Sequence, residues 1–122
     1  MNILIIEDEF ALADVIRESL LEENYNVDIS TDGLKGYNML CNKWYDLIIL
    51  DVMLPNMDGF EILKRIRNEN INSKVIMLIA KSIELVLDNK LTGDSYATSL
   101  VNSISNINFN GYKLYVNGIA IN

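Results

Sequence analysis

The sequence has no histidine, a single cysteine and no long apolar run. The absence of histidine excludes imidazole metal ligands and histidine-based catalytic triads. Cys41 alone cannot form an internal disulfide, which favours a reducing compartment, so we expect a cytoplasmic protein. No apolar run approaches the roughly eighteen residues of a membrane-spanning helix, and no basic segment precedes the first apolar run. We therefore expect neither a membrane span nor a signal peptide.

Basic residues are also scarce, since the formal net charge is -7. A protein that grips a nucleic-acid backbone needs clustered lysine and arginine, so we do not expect this segment itself to bind nucleic acid. A length of 122 residues fits one domain with a modest core. A hydrophobic fraction of 50% with 22% charged residues is typical of a globular domain.

Two short apolar runs end in acidic residues. Residues 3–6 are followed by Glu7 and Asp8, and residues 47–50 are followed by Asp51. Short apolar runs without alternation are typical of strands buried on both faces of a parallel sheet, and ligands gather at the carboxyl ends of such strands. If the strands are neighbours, three carboxylates meet at one edge, where they suit Mg²⁺ or a nucleophilic attack on phosphorus. The alternative is that these acids only cap a turn and open a helix, which their placement at both strand ends disfavours.

Helical stripes of apolar residues alternate with the apolar runs, which predicts parallel strands joined by right-handed crossovers. The predicted strands are at 1–6, 27–30, 47–50 and 75–79. The first predicted helix is at about 10–22, the second follows the turn at Asp32-Gly33, and the third begins near Phe60 and is capped by Asp58. A fourth helix is predicted from the apolar residues Ile83, Val86, Leu87 and Leu91.

Together these motifs resemble the receiver domain of bacterial two-component response regulators. The resemblance covers about residues 1–93 and rests on residues 3–9, 46–55, 58–59, 75–78 and 80–81. It implies an α/β, flavodoxin-like parallel sheet with helices on both faces, in the strand order 2-1-3-4-5. It also implies that Asp51 accepts a phosphoryl group from a sensor histidine kinase. By the same resemblance, Glu7, Asp8, Asp51 and the backbone carbonyl of Met53 form a Mg²⁺ site.

The chain departs from this family at positions that normally contact the phosphoryl group. Ile79 stands where receivers carry threonine or serine, and it cannot hydrogen-bond a phosphoryl oxygen. No fifth strand followed by Lys-Pro is found after Gly93, so the family's lysine has no counterpart. Lys81 is a candidate for a phosphoryl contact, with an exposed surface lysine as the alternative. With the fifth unit missing or diverged, the fourth strand is predicted to be an exposed edge, and a homodimer through that edge is expected.

The composition changes after Gly93, where Asp94 and Lys113 are the only charged residues. The pairs Asn110-Gly111 and Asn117-Gly118 are hairpin signals, which predict antiparallel strands at 107–109, 112–116 and 119–121. This stretch resembles the small sheet that opens the DNA-binding half of winged-helix response regulators. The predicted domains are a receiver at 1–93 and a tail at 94–122. The tail is either the start of that effector domain, without a recognition helix, or a diverged and partly disordered receiver C-terminus.

The leading hypothesis is a phosphoacceptor module of a phosphorelay that controls transcription, and not an enzyme. A Mg²⁺-dependent phosphohydrolase would carry a second aspartate two residues after its nucleophile, where this chain has Met53. The other alternative is a degenerate receiver that no longer switches and acts as an interaction module, because Ile79 and the missing lysine remove two phosphoryl contacts. A flavodoxin is disfavoured, since the loop after the first strand is acidic and lacks donors for phosphate. The expected partner is a sensor histidine kinase, with DNA reached only through an effector domain that this chain does not complete.

Overall fold

The computed structural model describes residues 1–79, 83–87, 114–116 and 119–120 of the chain. The elements are β1 (Asn2–Ile6), α1 (Phe10–Glu22), β2 (Asn26–Ser30), α2 (Gly33–Asn42), β3 (Leu47–Asp51), α3 (Gly59–Asn68), β4 (Lys74–Ile79), β5 (Ile83–Leu87), β6 (Leu114–Val116) and β7 (Ile119–Ala120).

The described strands form one sheet in the order β2-β1-β3-β4-β5-β6-β7. The first four strands pair in parallel, and a helix connects each of them to the next one in the chain. This arrangement confirms the predicted flavodoxin-like order of the first four strands. Helix α1 has the predicted bounds, and α2 and α3 begin at the predicted positions or one residue away.

The side chains of β1 alternate between two cores on opposite faces of the sheet. Ile3 and Ile5 lie in the core that contains the buried residues of α1. Leu4 and Ile6 lie in the core that contains the buried residues of α2 and α3. Burying an isoleucine or leucine side chain stabilises the fold by about 1.5–3 kcal/mol. Because β1 is packed on both faces, the residues that follow it have a defined position at the carboxyl edge of the sheet.

The predicted fourth helix is wrong, because residues Ile83–Leu87 form strand β5. This strand pairs antiparallel with β4, with Met77 opposite Val86 and Ile79 opposite Glu84. A segment of five residues with four apolar side chains fits the period of a strand as well as that of a helix, and its β-branched residues favour the strand. The unpaired backbone groups of β4 also gain partners by this pairing.

The pairing with β5 corrects a second prediction, since β4 is not an exposed edge. Strand exchange through β4 therefore loses its structural basis. In the tail, β6 and β7 pair antiparallel on either side of Asn117-Gly118, which confirms the prediction for that hairpin. The parallel pairing of β6 with β5 was not predicted. The predicted strand at 107–109 and Lys81 lie outside the described residues.

In the part of the chain that the structure describes, the helices are too short or too polar to cross a membrane.

A buried tyrosine on this scaffold offers a test of the fold. The Tyr45 hydroxyl, on a side chain that is 2% exposed, donates to Asp28 Oδ2 at 2.6 Å. Lys43 Nζ lies 3.0 Å from the same oxygen. The hydrogen bond from Tyr45, helped by that from Lys43, lowers the pKa of Asp28 from its ordinary value. The stabilisation is therefore present above the pKa of unfolded Asp28 and is lost as the pH falls through the folded pKa.

We expect Tyr45→Phe to lower the free energy of unfolding by about 1 kcal/mol at pH near 7, because one partly buried hydrogen bond is lost. The difference from the wild type should shrink at a pH below the lowered pKa of Asp28. Urea unfolding at neutral and acidic pH measures both effects. Tyr25→Phe is the matched control, since Tyr25 packs against the opposite core. An equal loss at both pH values would contradict the role of Asp28.

Candidate metal centre

Three carboxylates meet at the carboxyl edge of the sheet. β1 and β3 are parallel neighbours with Ile6 opposite Leu50, so the residues that follow lie side by side. Glu7, Asp8 and Asp51 each offer an oxygen atom, and these three atoms lie within 4.8 Å of one another. Glu7 is 4% exposed, Asp51 is half-buried and Asp8 is exposed. The structure thus brings together the three acids that follow the strand ends, and their burial increases from Asp8 through Asp51 to Glu7.

The electrostatics of the cluster disfavour three simultaneous negative charges. Burial raises the pKa of Glu7, and interactions with Asp51 and Asp8 raise it further. Burial also raises the pKa of Asp51, although hydrogen bonds with Glu7 and with the Met53 N–H act in the opposite direction. Such shifts are the ordinary result of crowding carboxylates in a partly dry site. A bound cation would relieve the repulsion and favour the charged forms.

One buried oxygen of the cluster lacks a partner. Glu7 Oε2 is buried, and no hydrogen bond reaches it from the described residues. A buried, unsatisfied carboxylate oxygen is costly, so such an atom indicates a missing ion or water. All the side-chain donors are oxygens, and Asp8 opens the cluster to solvent. The residues therefore fit a hard divalent cation that keeps part of its water shell, of which Mg²⁺ is the common example.

Met53 lies two residues beyond Asp51, in the loop that leads to α3. Its N–H lies 3.4 Å from Asp51 Oδ1, a long hydrogen bond, and its side chain is 74% exposed. The backbone of Met53 is therefore next to the cluster, while its side chain points away from the core. The role of its carbonyl as a metal ligand stays a prediction.

Gly59 lies at this site, although the sequence alone singled it out only as part of the Asp58-Gly59 motif before the third helix. Its N–H donates to the carbonyl of Val52 at 2.8 Å. A Cβ atom on Gly59 would lie 2.2 Å from the carbonyl oxygen of Asp51, so any other residue would displace the backbone there. The Asp58-Gly59 pair was the available signal, and Asp58 does cap α3 by accepting the Glu61 N–H at 2.9 Å.

Ile79 ends β4 one residue beyond Leu78, which is the register partner of Asp51. The residue at the family's hydroxyl position is therefore placed on the strand adjacent to Asp51, but it is aliphatic. Lys81, the other candidate for a phosphoryl contact, cannot be placed relative to the cluster, because the described residues do not include it.

The fold and the acid cluster define a class of protein, and comparison with known families identifies it. The family model that describes the response regulator receiver domain matches residues 3–92 of this chain. The chain therefore belongs to the response regulator receiver family, as its motifs predict.

Its relatives include response regulators from Staphylococcus and Streptococcus species. The response regulator ArlR of Staphylococcus epidermidis is 49% identical over 81 residues, which cover 66% of this chain and 36% of that protein. ArlR of Staphylococcus haemolyticus is 44% identical over 95 residues, or 78% of this chain and 42% of that protein. The transcriptional regulatory protein DltR of Streptococcus agalactiae is 39% identical over 82 residues, or 67% and 37%. This chain thus spans less than half the length of these relatives.

Solved receiver domains share the fold. The receiver domain of the Francisella response regulator 1452 aligns with a TM-score of 0.64 at 24% identity, covering 98% of this chain and 86% of that chain. The response regulator TrrA of Thermotoga maritima, solved in complex with Mg(2+)-BeF, aligns with a TM-score of 0.62 at 25% identity, covering 94% and 84%. These likenesses confirm the flavodoxin-like fold class.

Proposed function

We propose that this chain is a phosphoacceptor module that takes a phosphoryl group from a sensor histidine kinase onto Asp51. The observation that carries the proposal is the cluster of three carboxylate oxygens within 4.8 Å of one another, in which Glu7 is buried, Asp51 is half-buried and Asp8 is exposed. In the transfer, the P–N bond of the phosphohistidine breaks and a P–O bond to Asp51 forms. The imidazole leaves with the electron pair of the broken bond and takes up a proton.

The residues of the cluster have different roles, according to how deeply each one is buried. Asp8, Asp51 and the Met53 carbonyl would hold a Mg²⁺ ion, and Glu7 would hold its water shell through Oε2, which has no hydrogen-bond partner among the described residues. When bound, Mg²⁺ neutralises charge so that an anionic phosphoryl group can approach a carboxylate. Asp51 supplies the nucleophilic oxygen, and the Met53 N–H orients its carboxylate. The module accepts one phosphoryl group and does not turn over a substrate as an enzyme would.

The wider role follows from the relatives, which are named as response and transcriptional regulators. We propose that residues 1–93 are the receiver of such a regulator and that 94–122 begin a winged-helix effector domain. DNA would be contacted only by that effector domain and not by the receiver, and a cytoplasmic location fits that role. The proposed partner is a sensor histidine kinase, and a homodimer is a further proposal that no longer rests on β4.

A second candidate function is a receiver that is phosphorylated but switches weakly. Two observations favour it, namely Ile79 at the end of β4 and an antiparallel strand in place of the fourth helix. A phosphorylated state is favoured only by contacts that the unphosphorylated state lacks.

The first prediction for this function concerns the cation. We expect Mg²⁺ to bind in the millimolar range or somewhat tighter, and Asp8→Asn to weaken it about tenfold or more, because one ligand charge is lost. Amide shifts of Glu7 and Asp51 during a Mg²⁺ titration measure the affinity. Glu9→Gln is the matched control, since this neighbouring acid is not part of the cluster. No response at tens of millimolar Mg²⁺, or the same affinity in Asp8→Asn, would contradict the site.

The second concerns the acceptor. We expect acetyl phosphate with Mg²⁺ to modify one residue, and Asp51→Asn to abolish the modification because the nucleophilic carboxylate is lost. Intact-protein mass spectrometry detects the adduct, and Glu9→Gln should retain it. An adduct that persists in Asp51→Asn would show that another residue is the acceptor.

The third concerns the switch. A charge-assisted hydrogen bond contributes about 1.5–3 kcal/mol, a large share of the roughly 5.5 kcal/mol that swings a population from 1:99 to 99:1. Because Ile79 cannot supply such a bond, we expect beryllofluoride to shift only amides near Asp51 and to leave the sedimentation coefficient unchanged. Ile79→Thr restores the hydroxyl, and in that variant the shifts should spread along β4. A wild-type monomer that dimerises only with the mimic would show that the switch is intact.

A further inference from the structure

The turn between β2 and α2 is bound to the loop that follows Asp51. The Asn56 side-chain amide donates to Asp32 Oδ2, across a separation of 24 residues. The N–H of Gly33 donates to the carbonyl of Pro55 at 3.1 Å. We call these four residues, Asp32, Gly33, Pro55 and Asn56, the clasp.

Asn56 holds an unusual backbone conformation within the clasp. Its φ is 68°, and the N–H of Met57 donates to the carbonyl of Pro55 at 2.8 Å. These two features describe a three-residue turn with a positive φ at its centre, which is rare and strained. Asparagine tolerates a positive φ better than most residues, but such a conformation persists only where the surroundings hold it. The bond to Asp32 supplies such a hold.

Helix α2 also restricts the turn, because its first residue lies very close to the backbone of the turn. A Cβ atom on Gly33 would lie 1.8 Å from the carbonyl oxygen of Met57, so the first residue of α2 touches the backbone of the turn. Met57 itself is buried in the core with Leu50. The turn therefore has α2 on one side and the hydrophobic core on the other, which leaves it little room to move.

The two carboxylate oxygens of Asp32 have separate partners. Oδ1 accepts the N–H of Lys35 at 2.9 Å and caps α2, while Oδ2 accepts the amide of Asn56. Both bonds favour the charged carboxylate, and they lower the pKa of Asp32 from its ordinary value. Because the partners are separate, a substitution can break the clasp and still cap the helix.

Only three residues separate Asp51 from the clasp, and the ends of the loop are already fixed. Val52 donates its N–H to the carbonyl of Leu78 at 3.1 Å and accepts the N–H of Gly59. Between Val52 and the clasp lies Met53, whose N–H reaches Asp51 only at 3.4 Å. The position of the Met53 backbone is therefore set by Val52 on one side and by the clasp on the other.

We propose that the clasp positions the backbone of Met53 against Asp51, which makes Asn56 and Asp32 positioning residues of the cation site. The inference rests on the proposed function, since it assigns a role in cation binding and phosphoryl transfer. A loop that is held in its bound form before the cation arrives loses less conformational entropy on binding. Breaking the clasp should therefore weaken the binding of the cation.

Asn56→Gly is the direct test, because glycine keeps the positive φ without strain and removes only the side-chain bond. We expect its Mg²⁺ dissociation constant to rise about three- to tenfold, and the Met53 amide signal to shift. The rate of phosphorylation by acetyl phosphate should fall in this variant at low Mg²⁺, and it should fall less at saturating Mg²⁺. Asn70→Gly is the matched control, since Asn70 has a φ of 61° and lies beyond α3, away from the site. It should leave the affinity and the Met53 signal unchanged.

Asp32→Ser breaks the clasp from the other side, because serine caps a helix well and is too short to reach Asn56. It should weaken Mg²⁺ binding as Asn56→Gly does, and the double variant should be no weaker than either one. Equal Mg²⁺ affinity in Asn56→Gly, Asn70→Gly and the wild type would overturn the clasp while leaving the proposed function intact. A wild type that neither binds Mg²⁺ nor accepts a phosphoryl group would overturn the proposed function and the clasp with it.

Discussion

The parallel pairing of β1 with β3 is the constraint on which the site depends. Both strands are buried on their two faces, so their register is held by apolar contacts with the helices on each side. With Ile6 opposite Leu50, the next residue of each strand emerges at the same edge. A slip of one residue would exchange the two faces and would also separate Glu7 from Asp51. The core thus stabilises the fold and sets the distance between the carboxylates in one interaction.

The acid cluster is a local cost that the core has to offset. Glu7 is nearly fully buried among other carboxylates, and one of its oxygens has no partner among the described residues. A site that is unfavourable without a cation is expected to be favourable with one, since the same burial strengthens the attraction.

Several backbone contacts surround the loop after Asp51, and they explain why small residues occur at its borders. Gly59 lies against the carbonyl of Asp51, and Gly33 lies against the carbonyl of Met57. Together with the bond between Asn56 and Asp32, these contacts tie β3, α2 and α3 to one loop. The described part of the sheet departs from the family only beyond β4, where β5 runs antiparallel. The strands that carry the three carboxylates therefore keep the order of the family, while the described sheet beyond them is altered in β5.

The sequence by itself determined the four parallel strands, the three helices and the acids at the strand ends, because apolar period and strand-end position are local properties. The cap at Asp58 was equally local and was predicted. The strand at Ile83–Leu87 was mistaken for a helix, since so short a segment with four apolar residues satisfies both periods and only the open edge of β4 decides between them. The burial of Glu7, the contact of Gly59 with Asp51 and the bond of Asn56 to Asp32 were decided only by the tertiary structure. The two contacts join residues from different elements, and the burial of Glu7 depends on what packs around it. Contacts between elements and burial cannot be predicted from the spacing of residues along one strand or helix.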